Sequence, residues 1–336
     1  MPSYPRLILN PKAEKAVFNR HPWLFSGAIA KAPEAADGDI VEVTNGAGRV
    51  YGYGFFSPMS QIRCRMFHWG EAEDFDGLGY WSEKLKNAIS VRKRMVISEE
   101  TNTYRLVHAE GDLFPGLIID IYNNVAVGQV LIKGMEQRIA FIADALKDAG
   151  FNHFYLKAKT SSRELEDVRS ASGWFCGGAA SPVEVLENGL KFLVDIESGQ
   201  KTGFFIDQRE NRRLLKTFSK DKTVLNTFSY TGGFSAYAIA GGAAHVDSVD
   251  ISADALKMCD NNIALNFIDA PHRSIVADCF EFLREMPADK YDIIVLDPPA
   301  FAKNQRSVPN ATRGYKQINL QAFRKIKSGG VVFTYS

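Results

Sequence analysis

The sequence predicts a multidomain protein: a small N-terminal β-barrel, a central α+β domain and a C-terminal α/β domain on a parallel sheet. Three observations carry this reading. The chain has 336 residues, too many for one core at roughly 100–200 residues per domain. Its first part is made of short alternating apolar runs broken by Gly and Pro. From about residue 189 strand-like runs alternate with helix-like ones, and such units require parallel strands joined by crossover helices. The expected domains are 1–70, 71–188 and 189–336.

In the first domain, strands are expected over 40–43, after the turn Asp37-Gly38-Asp39, over the aromatic and glycine-rich stretch 49–56, and over 61–67, where apolar positions alternate. The central domain opens with a helix over 80–96. Strands over 117–122 and 125–132, a helix over 136–149 ended by Gly150, and a strand over 151–157 follow. In the third domain, strands are expected over 224–228, 246–249, 274–277, 291–296 and 330–335. Helices are expected between them: one to Ala240, then 253–266, 279–285 and 315–327.

Composition narrows the function classes. Apolar residues make up 46% and charged residues 24%, which excludes a disordered or low-complexity chain. No run of about 18 apolar residues occurs, so no transmembrane helix is expected. The first twenty residues lack the apolar stretch of a signal peptide. Cys64, Cys176, Cys259 and Cys279 are scattered without a CxxC pair. That fits a reducing cytoplasm and gives no expectation of a disulfide scaffold, a zinc ribbon or any other metal site. The net charge of +1 hides a division. Residues 1–70 carry 8 basic and 5 acidic side chains, residues 71–190 carry 13 and 18, and residues 191–336 carry 19 and 16. The basic ends permit contact with nucleic acid; on charge alone a solvated surface is the better reading.

The chemistry concentrates at strand ends of the third domain, where open α/β sheets bind ligands. Phe228-Ser229-Tyr230-Thr231-Gly232-Gly233 opens a helix, and its glycines allow a close approach of backbone to ligand. It is neither G-x-G-x-x-G nor a P-loop, so dinucleotides and nucleoside triphosphates are disfavoured. Asp250 follows about twenty residues later, the spacing at which an acid reaches ribose hydroxyls. Asp278 ends the next strand, where a carboxylate accepts a hydrogen bond from an adenine amino group. Asp297-Pro298-Pro299 ends the apolar strand after that, with a rigid turn holding one carboxylate towards a planar substrate. Any one of these acids is met by a helix cap. Successive strand ends that each offer such a group point to an adenosine ligand without pyrophosphate, S-adenosylmethionine.

These motifs resemble those of class I methyltransferases. Gln200-Lys201-Thr202-Gly203-Phe204-Phe205-Ile206-Asp207-Gln208-Arg209 resembles the segment before the cofactor domain of one family among them, the PUA-domain ribosomal RNA cytosine-5 methyltransferases of the large-subunit methyltransferase I type. His21-Pro22-Trp23-Leu24-Phe25 and Gln61-Ile62-Arg63-Cys64-Arg65 are similar to its PUA barrel. His108-Ala109-Glu110-Gly111-Asp112 is similar to its middle domain, and Arg313-Gly314-Tyr315-Lys316 to the stretch after its Asp-Pro-Pro motif. The resemblance implies a PUA-like barrel, a central α+β domain and a Rossmann-like methyltransferase sheet. It implies that S-adenosylmethionine is held by Arg209, Phe228, Ser229, Tyr230, Thr231, Gly232, Gly233, Asp250, Asp278 and Asp297. By the resemblance Asp250 takes the ribose, Asp278 the adenine and Arg209 the methionine carboxylate, an ordinary surface helix arginine being the alternative reading of Arg209. Asp297 is the catalytic residue and contacts N3 of a flipped-out cytosine. The implied partner is ribosomal RNA in the cytoplasm, without a membrane, and a homodimer is left open.

The sequence departs from the family at its end. The family's nucleophilic cysteine follows a Thr at the end of the fifth strand, and here that strand reads Phe333-Thr334-Tyr335-Ser336. The thiolate is expected at the position after Ser336, with the sheet's last strands beyond it, so the chain is expected to continue. Cys279 starts a helix near the adenine site, Cys64 reads as barrel core, and Cys176 and Cys259 as structural. Two alternatives remain. Asp-Pro-Pro followed by Ala300 and Phe301 also resembles amino methyltransferases of adenine or guanine, which need no thiolate. A non-catalytic RNA-binding protein would use the barrel and leave the cofactor motifs unexplained.

Overall fold

The computed structural model describes residues 3–158, 168–302 and 307–336. The chain divides into two compact units, residues 1–185 with 194–204, and residues 186–193 with 205–336.

The first unit opens with β1 (Arg6–Leu9), α1 (Glu14–Phe18), β2 (Trp23–Phe25), β3 (Ile29–Lys31), β4 (Ile40–Thr44), β5 (Val50–Phe56) and β6 (Ile62–His68). These strands form one six-stranded sheet in the order β2-β6-β5-β4-β1-β3. All its pairs are antiparallel except β1 with β4. Inward residues Leu7, Leu9, Val41, Val43, Cys64 and Met66 form its core. α2 (Leu78–Met95) buries Trp81, Leu85 and Ala88, one helical stripe, and leaves Lys86, Lys93 and Arg94 exposed.

β7 (Thr103–His108), β8 (Leu117–Tyr122), β9 (Val125–Val130), α3 (Lys133–Glu136), α4 (Ile139–Asp148), β10 (His153–Leu156) and β11 (Gly173–Cys176) complete this unit, with a sheet ordered β11-β10-β9-β8-β7. The helix expected over 136–149 is divided here. Buried Arg138 leaves helical geometry and donates to the Gly134 carbonyl (3.1 Å), Gln137 (2.8 Å) and Asp76 (2.8 Å). Bonding both terminal nitrogens of this guanidinium outweighs continuing the helix at that residue.

The chain passes between units through a hairpin, β12 (Val183–Glu187) and β13 (Leu190–Val194). The second unit then runs α5 (Arg209–Phe218), β14 (Thr223–Thr227), α6 (Gly233–Ala240), β15 (His245–Asp250), α7 (Ala253–Ala264), β16 (His272–Val276), α8 (Cys279–Glu285), β17 (Ile293–Leu296), α9 (Val308–Lys325) and β18 (Val331–Thr334). Its sheet is wholly parallel and ordered β16-β15-β14-β17-β18. Strand β17, all Ile, Val and Leu, lies inside the sheet and is buried along its length. Strand order reverses between β14 and β17, so the ligand crevice is expected beyond their carboxyl ends. Helix α9 starts seven residues before the expected position 315. Pro309 suits a first helical turn, and Gly314 continues the helix where a Cβ would meet the Phe301 ring at 3.1 Å.

Asp247, fully buried on β15, pins the sheet away from its carboxyl ends. It accepts hydrogen bonds from Lys290 Nζ (2.7 Å), the Tyr291 hydroxyl (2.7 Å) and Arg273 Nε (2.9 Å), and meets His245 Nε2 at 3.0 Å. Burial alone would raise its pKa; these donors override burial and hold it well below the ordinary carboxylate value. The stabilisation is therefore full above about pH 4 and is lost as pH falls towards the lowered folded-state value. Asp247→Asn should destabilise the protein at pH 7 by about 3 kcal/mol, and the gap to the parent should narrow below about pH 4. Denaturant unfolding across pH reads this out, and a gap independent of pH would count against the assignment.

Candidate active site

Parallel register brings the carboxyl ends of the second unit's strands together. Thr227 on β14 pairs with Val249 on β15 and with Leu296 on β17, and Asp250 pairs with Val276 on β16. The residues following these positions are the ones that the sequence singles out.

The turn from β14 into α6 has three residues with left-handed backbone, Phe228 (φ 52°), Tyr230 (φ 47°) and Gly232 (φ 80°). Gly232 has a second reason to be glycine, because a Cβ there would stand 2.3 Å from Cys259 Sγ on α7. A Cβ on Gly233 would meet Arg212 Cδ at 3.1 Å. Both glycines are thus hemmed in by protein. Thr231 is fixed from below: its carbonyl accepts from Asn262 Nδ2 (2.9 Å), while Asn262 Oδ1 accepts from the Leu193 amide of the hairpin (2.7 Å).

Asp250 holds this turn. Its Oδ2 accepts the Tyr230 amide (2.9 Å) and its Oδ1 the Ser252 amide (2.9 Å). Each carboxylate oxygen has further lone-pair capacity for a ligand hydroxyl. Asp278 caps α8, with Oδ1 accepting from the amides of Phe280 (2.8 Å) and Glu281 (3.1 Å). Next to it Phe228, Phe280, Phe301 and Tyr315 form a run of rings with centroids 6.2, 5.5 and 4.5 Å apart. Asp297 follows β17, and its Oδ1 accepts from Gln208 Nε2 (3.3 Å). Asn211 Nδ2 donates to Gln208 Oε1 (2.7 Å) and so turns the nitrogen of that amide towards Asp297. Burial first, and Asp297 second, push the Tyr335 hydroxyl up to about 12.

Two arginines of α5 divide the roles. Arg212 is buried and doubly bonded to Glu187, Nε to Oε1 (2.8 Å) and Nη2 to Oε2 (2.7 Å), while Nη1 donates to the Phe205 carbonyl (2.9 Å). Arg209 touches Glu210 at 3.3 Å, and its Nη1 is buried without a hydrogen-bond partner. Ser229 Oγ is likewise buried and unpartnered. Sequence reasoning missed Arg212, Gln208 and Asn211. The polar pattern of Gln208-Arg209-Glu210-Asn211-Arg212 marks a helix start and does not say which side chain faces inward.

Three of the cysteines, Cys64, Cys259 and Cys279, are buried. Cys279 Sγ donates to the Val249 carbonyl (3.6 Å) and accepts the Phe228 amide (3.2 Å). Burial pushes the thiols of Cys279 and Cys259 up to about 12 and raises Cys64 as well.

Residues 128–334 match the family model of S-adenosylmethionine-dependent methyltransferases, and residues 7–69 that of PUA-like domains. The ribosomal RNA large subunit methyltransferase I of Alteromonas mediterranea is 39% identical over 98% of this chain and 84% of its own length. The protein of the same name from Aeromonas salmonicida is 40% identical over 96% of this chain and 83% of its own. The chain belongs to this methyltransferase family. The crystal structure of SMU.776, a methyltransferase complexed with SAH, superposes with a TM-score of 0.83 at 26% identity, covering 98% of this chain and 85% of that one.

The methyltransferase therefore uses S-adenosylmethionine, and the residues present fit it. The orphaned Arg209 Nη1 and Ser229 Oγ are buried polar groups that a ligand with a carboxylate and hydroxyls would satisfy. When bound, the cofactor supplies an electrophilic methyl group. Asp250→Ala removes the acceptor for the Tyr230 amide of the turn and for the Ser252 amide that follows β15. It should lower affinity for S-adenosylhomocysteine about tenfold or more in calorimetry. Unchanged affinity would take Asp250 out of the site.

Proposed function

We propose that this methyltransferase forms 5-methylcytosine in large-subunit ribosomal RNA. Asp297 carries the reading: a carboxylate at the end of β17, oriented by the Gln208 amide and followed by Pro298-Pro299. The names of the relatives support ribosomal RNA as the acceptor. Cytosine C5 is a weak nucleophile. A thiolate adding at C6 makes C5 electron-rich, and a hydrogen bond from the Asp297 carboxyl to N3 takes up the charge that develops on the ring. Methyl transfer to C5 and elimination of the thiol, with loss of the C5 proton, complete the reaction. In this reading Arg209 orients the methionine carboxylate, Asp250 the ribose and Asp278 the adenine, beside the rings of Phe228 and Phe280. By the resemblance to the family, the thiolate is expected at the position after Ser336; the thiols of Cys64, Cys259 and Cys279 are buried and held protonated.

Tritiated methyl transfer to unmodified ribosomal RNA, followed by nucleoside chromatography, tests this. A chain continued beyond Ser336 with cysteine at the next position should yield 5-methylcytidine, and Asp297→Ala should lower its rate at least a hundredfold. Formation of 5-methylcytidine by residues 1–336 alone would return the nucleophile to Cys279. Label in an N-methylated adenosine or guanosine would replace this reading with that of an amino methyltransferase.

A further inference from the structure

Beside α2 the first unit holds a cavity of about 250 Å³, lined in part by Phe67, His68, Trp69, Tyr80, Lys84 and Leu113. Lys84 reaches it from α2. Its Nζ lies 5.1–5.6 Å from the ring centroids of Phe67, Tyr80, Trp81 and Phe114. It donates to the Phe67 carbonyl (2.8 Å) and to the Tyr80 hydroxyl oxygen (3.2 Å), so both of its hydrogen-bond partners among the described residues are uncharged. The Tyr80 hydroxyl in turn meets His68 Nδ1 (3.3 Å), and His68 Nε2 meets the Glu71 carbonyl (2.9 Å). A carbonyl only accepts, so Nε2 carries the ring proton and Nδ1 accepts from Tyr80. The Tyr80 O–H is thus committed to His68, and its oxygen is left to accept from Lys84.

Burial among rings pushes the Lys84 amine down to about 7, against a weaker upward pull from Glu73. About half of the molecules therefore carry a free amine at neutral pH. A neutral amine has two N–H groups and one lone pair. The Phe67 carbonyl and the Tyr80 oxygen take both N–H groups, which leaves the lone pair for a ligand. A desolvated amine of this kind attacks carbonyl carbon. The other charged groups at the cavity are Arg20 from the turn before β2, Glu73 from the segment before α2, and Glu83 on α2 itself. Their opposed signs select neither anions nor cations, while walls of rings and Leu113 favour an uncharged, flat, apolar body. The volume falls below the roughly 300–1,000 Å³ of drug-sized sites and suits one small ring. We propose that this cavity is a binding site for small aromatic aldehydes, with Lys84 as the amine that captures them. The Nζ lone pair bonds to the carbonyl carbon while the C=O π electrons move to oxygen. Loss of water, its oxygen from the aldehyde and both its protons from the amine, leaves an imine. Nothing is oxidised or reduced. The proposal rests on residues of the first unit alone and does not depend on the RNA acceptor.

The test treats the full chain with benzaldehyde and cyanoborohydride, which reduces the imine to a stable benzylamine, and reads each lysine by peptide mass spectrometry. At neutral pH Lys84 should be labelled at least about tenfold faster than the average of the other lysines, because ordinary amines stay protonated there. That ratio should fall about tenfold or more towards about pH 10, as the other amines lose their protons. Labelling of Lys84 should saturate with benzaldehyde and be slowed by benzyl alcohol, which has the ring without the carbonyl. The other lysines should label in proportion to concentration and ignore the alcohol. Para-carboxybenzaldehyde, the same ring with a charge, should half-saturate at about tenfold higher concentration. A rate at Lys84 within twofold of the average would overturn the reactive amine. A linear concentration dependence, or indifference to benzyl alcohol, would overturn the cavity as the site. Tighter capture of the charged aldehyde would overturn the ligand class.

Discussion

The ion pair of Arg212 and Glu187 is the constraint on which the methyltransferase unit's active site depends. Both side chains are buried, and the guanidinium fork meets the carboxylate through two parallel hydrogen bonds. The same guanidinium donates to the Phe205 carbonyl and lies 6.0 Å from the Tyr237 ring centroid, and its Cδ rests against Gly233. One side chain therefore fixes the hairpin, the segment entering α5, helix α6 and the glycine turn. Such a pair gives little net stability over an apolar replacement, yet removing one partner strands a charge in the interior. What the pair secures is placement. With α5 anchored at Arg212, Gln208 at its N-cap reaches Asp297, Asn211 holds the Gln208 amide, and Arg209 keeps a buried nitrogen without a hydrogen-bond partner.

Structural duties and the proposed ligand-binding duties fall on the same residues at the strand ends. Asp250 accepts two backbone amides, and Asp278 caps a helix through a single oxygen. A carboxylate offers about four lone-pair sites, so neither duty excludes a ligand contact. Capping also fixes each carboxylate before the ligand arrives, which lowers the entropy lost on binding. Reading each acid as either a cap or a ligand thus poses a false choice. The glycines teach the reverse. Sequence reasoning assigned them to ligand approach, and Gly232 is required by its positive φ and by the nearness of Cys259.

The strand-end acids Asp250, Asp278 and Asp297 were legible because parallel strands align their carboxyl ends, so a local pattern repeated three times marks one place in space. Arg212 was not legible. Its partner lies twenty-five residues earlier, in a hairpin that the sequence reading did not identify, and only tertiary contact separates it from Arg209 and Arg213. The division of the helix at Arg138 was hidden for the same reason, since two of its acceptors, Asp76 and the Gly38 carbonyl, lie far back in the chain. The early start of α9 was hidden differently. Pro309 and Gly314 read locally as breakers, while one sits in a first turn and the other packs against Phe301.

Electrostatics constrains where a nucleophilic thiol can stand. A thiol pushed up to about 12 by burial, as at Cys279, stays protonated at neutral pH. The hydrogen bond from its sulfur to the Val249 carbonyl favours the protonated form further, and the sulfur is packed beneath Phe228, away from solvent. Lowering that pKa would need a cation or additional N–H donors where the structure provides a carbonyl and rings. The carboxyl end of β18 differs. Val331–Thr334 runs parallel beside β17, so Thr334 pairs with Leu296, and the Tyr335 amide donates to the Leu296 carbonyl immediately before Asp297. A thiol following that strand would stand at the open end of the sheet, within the span of the Asp-Pro-Pro turn. There a base held by Asp297 could present C6 to it and C5 to the methyl donor. The parallel pairing of β17 with β18 would thus bring a thiol following β18 to the face that carries the Asp297 carboxylate, a placement open to no buried cysteine of the sequence.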